Sequence, residues 1–141
     1  MADKPHTLTW DHSWSTGVKE FDDDHKYLAS LYNQLFTACY AGQGPSVALA
    51  IVEKLVDYTN DHFRREDILF RQYDYPGREA HIHEHDLLRE RLEDLMEVLS
   101  DTSKPHEISN ATLAFLHDWI ERHTKERDRE YGPFLNERGI F

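Results

Sequence analysis

The sequence predicts an all-α protein, an antiparallel up-down-up-down four-helix bundle with an N-terminal arm. Four segments repeat apolar residues at the 3.6-residue period of an amphipathic helix. Short connections that contain glycine or proline separate these segments, and helices joined by short connections pack antiparallel. The length of 141 residues suits one hydrophobic core. We therefore expect a single domain over residues 1–141, with the arm at 1–20 and the bundle at 21–141.

Composition excludes several classes of partner. The net charge of -11 is the opposite of the basic surface that nucleic acids or anionic membranes require. No apolar run approaches the roughly 20 residues of a membrane span, and the N-terminus lacks the features of a signal peptide. The one cysteine, Cys39, has no second cysteine for an internal disulfide. We expect a cytoplasmic protein without nucleic-acid or membrane partners, while oligomeric state and protein partners stay open.

The arm and the first helix are predicted from their polar patterns. Trp10 and Trp14 lie among turn-forming residues, so we expect the arm to bury its indoles against a helix end. The first helix should begin near Phe21 or Asp22 and end at Gly42, with acidic residues in the first turn stabilised by the helix dipole. His25 lies one turn before the apolar residues of its inward stripe. Alone, such a histidine is more often a core residue than a ligand.

The second helix, expected from about Ser46 to Tyr73, carries His62 and Glu66 at two consecutive inward positions. Residues four apart lie only about 40° apart around a helix, so these two side chains can bind one ion. A solvent-exposed contact between His62 and Glu66 would stabilise the helix only slightly. In this row, however, the carboxylate would be buried, and buried carboxylates are paired or bind metals.

The third helix, expected from after Gly77 to about Leu99, carries His81 and His85 at the same spacing of four. His83 lies two positions from each and points to another face, so we expect it on the surface. Glu84 is assigned to the solvated side of this helix.

The fourth helix is expected from about His106 to Tyr131, closing at 132–133. His123 lies on its inward stripe, whereas His106 and His117 do not qualify as ligands. Asp128 follows His123 by five residues, which is about 140° around an ideal helix. The two should therefore not face one point, and Asp128 would have to reach sideways.

In an antiparallel bundle, the inward polar residues of all four helices lie near the same end. The candidate metal ligands are His25, His62, Glu66, His81, His85, His123 and Asp128. Five imidazoles and two carboxylates exceed one octahedral ion but suit two ions, provided that both carboxylates and a solvent oxygen bridge them. One ion is then saturated and the other keeps an open position. This donor set favours iron, although zinc or manganese would tolerate part of it.

Two other metal scaffolds fit less well. Ferritin-like sites use Glu-x-x-His motifs, and no glutamate in this chain has a histidine three residues later. The HExxH motif of zinc proteases does not occur either.

The segments FDDDHKYL, HFRRE, HIHEH and WIERHTKERD together resemble the hemerythrin family, specifically its bacterial single-domain members. The resemblance covers nearly the whole chain and implies a non-haem di-iron centre. It implies His81, His85 and His123 on one iron and His25 and His62 on the other. Glu66, Asp128 and an oxo or hydroxo group would bridge the two Fe ions, and O2 would bind reversibly at the two-histidine iron.

The resemblance implies an O2-binding protein, used for oxygen carriage, storage or sensing, and not an enzyme. The alternative is a di-iron redox enzyme that acts on peroxide or nitric oxide, or a slow oxidase. An enzyme needs an acid, base or substrate-recognition group near the open iron. The only spare inward polar residues are Tyr32, Tyr58 and Thr59, which we interpret as core residues or supports of the ligands.

The chain departs from many relatives at three positions, where Asp24 replaces Gln, Asp67 replaces Glu and Thr124 replaces Ile. We expect Thr124 to matter most, because a hydroxyl near the ligand pocket could admit water and speed oxidation of the iron.

Overall fold

The computed structural model describes residues 6–101, 103 and 108–141 of the chain. Its regular elements over these residues are all helical, which confirms the predicted all-α four-helix bundle. The long helices are α1 (Lys19–Tyr40), α2 (Pro45–Gln72), α3 (Arg78–Ser100), α4 (Asn110–Arg122) and α5 (Asp128–Asn136). A π-helical segment, His123–Arg127, joins α4 to α5, so these three pieces form the fourth helix of the bundle.

The first three helices begin and end within three residues of their predicted bounds. Helix α1 begins at Lys19 and ends at Tyr40, two residues before the predicted end at Gly42. Gly42 has a left-handed backbone, with φ of 66°, and the next residue, Gln43, donates its N–H to the carbonyl of Ala38 at 3.1 Å. Gly42 is thus the residue that terminates the helix and lies just beyond its end.

The fourth helix differs more from its prediction. Its expected start at His106 lies outside the described residues, and the described helix begins at Asn110, where the Ser109 side chain accepts the N–H of Thr112. The predicted end at Gly132 is wrong, because α5 continues to Asn136. Gly132 serves close packing instead of a turn, since a Cβ there would lie 1.8 Å from the carbonyl oxygen of Thr16 in the arm.

The arm packs along the bundle and contains one turn of 3-10 helix, His12–Trp14. The Trp14 side chain is buried, as predicted, and Trp10 is half-buried beneath the ammonium of Lys26. Asp22 of α1 anchors the arm, because its carboxylate accepts the backbone N–H of Thr16 at 2.7 Å and the hydroxyls of Ser15 and Thr16.

The core has two apolar parts with a polar layer between them. The larger part packs leucines of all four bundle helices, including Leu35, Leu55, Leu92 and Leu116. The smaller part consists of Val18, Phe21, Phe70, Tyr131 and Leu135. Along α1, α2 and the fourth helix, the predicted ligands come between residues of the two parts, so the helices bury them from both sides. In the part of the chain that the structure describes, no helix is long and apolar enough to cross a bilayer.

Candidate metal centre

Helices α1 and α2 bring the first three candidate ligands together. His25 and His62 are 2% and 1% exposed, and their Nε2 atoms face each other at 3.1 Å. Glu66 is fully buried, one turn after His62, and its Oε1 lies 2.6 Å from Nε2 of His62. The spacing of four therefore places His62 and Glu66 on one face of α2, as predicted.

Helix α3 contributes His81 and His85, both 3% exposed. Nε2 of His81 lies 3.1 Å from Oε2 of Glu66 and 2.8 Å from Oδ1 of Asp128. The ring of His85 stacks on Phe63, with centroids 3.5 Å apart, and its Nε2 lies 3.8 Å from Oε1 of Glu66. The stacking fixes the direction in which the His85 ring points.

The π-helical segment corrects the prediction about His123 and Asp128. An i→i+5 hydrogen-bond pattern widens the turn, so residues five apart lie on the same face, and such bulges are frequent at functional sites. The N–H of Asp128 donates to the carbonyl of His123 in this pattern. Nε2 of His123 lies 2.9 Å from Oδ1 of Asp128, so both side chains face one point and Asp128 has no need to reach sideways.

All seven predicted residues thus lie in one layer. Among the described residues, their donor atoms form two groups of four, each with all its atoms within 4.8 Å of one another. One group is His81, His85, His123 and Asp128, and the other is His25, His62, Glu66 and Asp128. Asp128 belongs to both groups, and the two oxygens of Glu66 face histidines of different groups.

The donor atoms fit a metal ion better than they fit each other. Four of them are buried without a hydrogen-bond partner, namely Glu66 Oε1, His85 Nε2, His123 Nε2 and Asp128 Oδ1. Some lie within 3 Å of another donor, yet the geometry is not that of a hydrogen bond. Buried polar atoms without partners are costly, and imidazole with carboxylate is a donor set for a first-row transition metal.

The charges inside this layer are strongly coupled. Burial disfavours the imidazolium forms of His62 and His81, but neighbouring carboxylates outweigh it and raise both pKa values to about 10. These carboxylates are Glu66, Asp24 and Asp128 for His62, and Asp128 and Glu66 for His81. Burial would raise the pKa of Asp128, but His123 and His25 hold it well below the usual value. Burial lowers the pKa of His85 to about 3. Protons occupy positions that a cation would take, so metal binding must displace them.

Two supporting carboxylates were not recognised in the sequence. Asp24 is 5% exposed and its Oδ2 lies 2.7 Å from Nδ1 of His62. Glu84, assigned to the solvated side, is in fact half-buried, and its Oε2 lies 2.7 Å from Nδ1 of His123. Each of these carboxylates directly precedes a predicted ligand in the sequence, Asp24 before His25 and Glu84 before His85. Each one, however, pairs with a histidine of another helix. Tyr58, predicted to support the ligands, donates its hydroxyl to Asp24 at 2.6 Å.

Among the residues that the structure describes, the other histidines belong to neither donor group. His83 is exposed, as predicted, and so is His6 in the arm. His117 is buried, but its ring stacks on that of His6 and its Nδ1 lies 3.0 Å from Asp118. It serves packing between the arm and α4.

A small cavity of about 20 Å³ adjoins the donor layer. The polar residues that line it are His25, His62, Thr59, His123, Thr124 and Asp128, while the rest of its wall is leucine, isoleucine and aromatic side chains. Neither His81 nor His85 lines it. Thr124 is 3% exposed and is one of the two threonines, which agrees with its expected position near a ligand pocket.

An antiparallel bundle that buries histidines and carboxylates from facing helices defines the class of metal-binding four-helix-bundle proteins. The family model described as "Hemerythrin HHE cation binding domain" matches residues 16–135. The chain therefore belongs to the hemerythrin family, as its motifs predicted.

Individual relatives agree with this assignment. The bacteriohemerythrin of Methylococcus capsulatus is 28% identical over 130 residues, which cover 92% of this chain and 97% of the relative. That of Pseudomonas aeruginosa is 27% identical over 124 residues, or 88% of this chain and 78% of the relative. A crystal structure of wild-type hemerythrin superimposes with a TM-score of 0.83 at 29% identity, covering 92% of this chain and 98% of that one.

Proposed function

We propose that this protein binds O2 reversibly at a non-haem di-iron centre, for oxygen carriage, storage or sensing. The observation that carries the proposal is the sharing of Asp128 by two buried groups of four donors. A single ion does not use donors of this number and arrangement, whereas two adjacent ions that share a carboxylate do.

The two groups support a specific assignment of ligands. His81, His85 and His123 would hold one iron, and His25 and His62 the other. Glu66 and Asp128 would bridge, together with an oxo or hydroxo group, because each carboxylate has one oxygen toward each set of histidines. When bound, the iron pair supplies the electrons that reversible binding of O2 requires.

The position of the cavity supports O2 binding at the two-histidine end. Three imidazoles and the bridges would fill the coordination of one iron, so the vacancy belongs to the iron with two. The cavity borders His25 and His62 but neither His81 nor His85, and its wall is largely apolar. An apolar wall excludes water and admits a small uncharged molecule.

The lining of the cavity favours binding over catalysis. Its titratable residues are His25, His62, His123 and Asp128, all of which the proposal uses as iron ligands. An enzyme acting on peroxide or nitric oxide needs an additional acid or base beside the reacting atoms. Thr59 and Thr124 offer hydroxyls only.

The test combines metal analysis with a spectrum. The reduced protein should contain two irons per chain, develop a visible absorption band on exposure to O2 and lose that band under vacuum. His85→Ala should abolish the band, whereas His83→Ala, two positions away on the exposed face of α3, should leave it unchanged.

Two results would count against the proposal. A protein that binds iron but shows no O2-dependent band is not an O2 carrier. A band that bleaches irreversibly while the protein turns over added peroxide would favour the enzyme.

A further inference from the structure

Asp24 makes a contact that determines how His62 presents its ring. The carboxylate of Asp24 can only accept, so Nδ1 of His62, 2.7 Å away, must donate to it. The other ring nitrogen, Nε2, is thereby directed into the donor layer, where it lies 2.6 Å from Glu66. A carboxylate that accepts the remote N–H of a metal-binding histidine fixes its orientation and strengthens it as a donor.

Two further side chains hold Asp24 itself in place. The hydroxyl of Tyr58 donates to Oδ1 at 2.6 Å. The guanidinium of Arg65 spans both oxygens, with Nη2 at 2.8 Å from Oδ1 and Nε at 3.3 Å from Oδ2. Arg65 balances a carboxylate whose side chain is only 7% exposed, and such fork-shaped pairs restrict geometry more than a lysine would.

The three-histidine group has a weaker counterpart of this arrangement. Nδ1 of His123 faces Glu84 at 2.7 Å, and Nε of Arg127 donates to Glu84 at 2.9 Å. The side chains of Glu84 and Arg127 are 27% and 45% exposed, compared with 7% for Asp24 and 30% for Arg65. Exposed ion pairs are screened by solvent and restrict little motion.

We propose that Asp24, held by Tyr58 and Arg65, is the positioning residue that keeps His62 oriented toward the cation of the two-histidine group. The inference rests on the proposed metal centre. That group has one imidazole fewer, so its cation depends more on the quality of each remaining donor. Loss of such a supporting carboxylate typically lowers metal affinity by roughly 10–100-fold.

The test is an anaerobic titration of the full-length metal-free protein with Fe²⁺. Asp24→Asn keeps the shape of the side chain but removes its charge. We expect it to bind one ion as the wild type does and the second roughly 10–100-fold more weakly. Glu84→Gln is the matched control and should weaken the other ion by a smaller factor.

A spectroscopic measurement separates positioning from a general structural role. In the zinc-loaded, diamagnetic protein, the Nδ1 proton of His62 should give a slowly exchanging, downfield NMR resonance. That resonance should be lost or shifted in Asp24→Asn and shifted in Tyr58→Phe, while the thermal unfolding of Tyr58→Phe stays close to that of the wild type.

The possible results separate the positioning role of Asp24 from the existence of the metal centre. Wild-type affinity for both ions in a folded Asp24→Asn variant would overturn the positioning role and leave the metal centre intact. If that variant does not fold, Tyr58→Phe decides: a several-fold loss for one ion supports the proposal, and unchanged affinity overturns it. A wild-type protein that binds no Fe²⁺ would overturn the metal centre and the inference with it.

Discussion

The two donor groups of the centre are built differently, although both lie in one layer. The His25/His62 side comes from α1 and α2, which are regular helices, and it borders the cavity. The other side combines α3 with a π-helical segment, packs His85 against Phe63, and does not reach the cavity except through His123. The side with more imidazoles is therefore closed by packing, and the side with fewer has space beside it.

The comparison also concerns how each side is supported. The two-histidine side has a buried carboxylate held by Tyr58 and Arg65, whereas the three-histidine side has the half-buried Glu84. We infer that donor number and donor support compensate for each other. Substitutions on the two sides test this inference.

Asp128 joins the two sides, so its loss should affect both. Asp128→Ala should lower the affinity for both ions by more than about 100-fold, because a bridging ligand is removed from each. Fe²⁺ titration measures the effect, and Asp118→Ala, at a 67% exposed side chain on the same bundle helix, is the control. Loss of only one ion would show that Asp128 does not bridge.

Both sides should contribute equally to the pH dependence of the stability of the metal-free protein. His62 and His81 have folded pKa values of about 10, above their unfolded value near 6.5. Their stabilising contribution is thus fully present below about pH 6.5 and is lost as pH rises toward 10. The metal-free protein should lose stability, on the order of several kcal/mol, over this alkaline range.

Chemical denaturation at several pH values checks this, with the metal-loaded protein as the control. Replacing either His62 or His81 by Gln should reduce the alkaline loss by a similar amount. If one of these substitutions alone abolished the alkaline loss of stability, only that histidine would carry the imidazolium charge.

Gly132 tests whether the arm helps to hold the irregular fourth helix. In Gly132→Ala, the new Cβ would meet the carbonyl of Thr16 at 1.8 Å, which is backbone and cannot rotate away. We expect a loss of about 1–3 kcal/mol in the free energy of unfolding, typical of overpacking. An unchanged denaturation midpoint would show that the arm is free to move aside.

Thr124 provides the smallest expected effect. Thr124 lines the cavity, and Thr124→Ile replaces its hydroxyl with an apolar group. Entry of water should become less favourable, so oxidation of the iron in the presence of O2 should slow by a few-fold. Stopped-flow and slow-scan absorption measure the rate, with Thr37→Ile at an exposed position of α1 as the control. An unchanged rate would show that Thr124 does not promote oxidation of the iron.

Much of the bundle and of the donor layer was predictable, because both depend on the helical period. The spacing of four between His62 and Glu66, and between His81 and His85, places each pair on one face of any regular helix. Antiparallel order then brings those faces to one end of the bundle. The family assignment followed from the same residues.

The errors have physical causes that involve contacts between distant residues. Glycine is common at helix ends, so the sequence predicts an end at Gly132, but the arm that packs against this glycine comes from the other end of the chain. The position of Glu84 beside the apolar stripe predicts a solvated side chain, but His123 and Arg127 of the fourth helix approach it.

Local periodicity and chain order are enough to predict the four helices, the family and the layer of seven donors. The alignment of His123 with Asp128 by a π-helical turn, and the support of His62 by Asp24, depend on contacts between helices. The reason is that one extra residue in a helical turn rotates the following side chains by about 100° around the axis. Such a turn is less stable than a regular one, and packing against the other helices stabilises it.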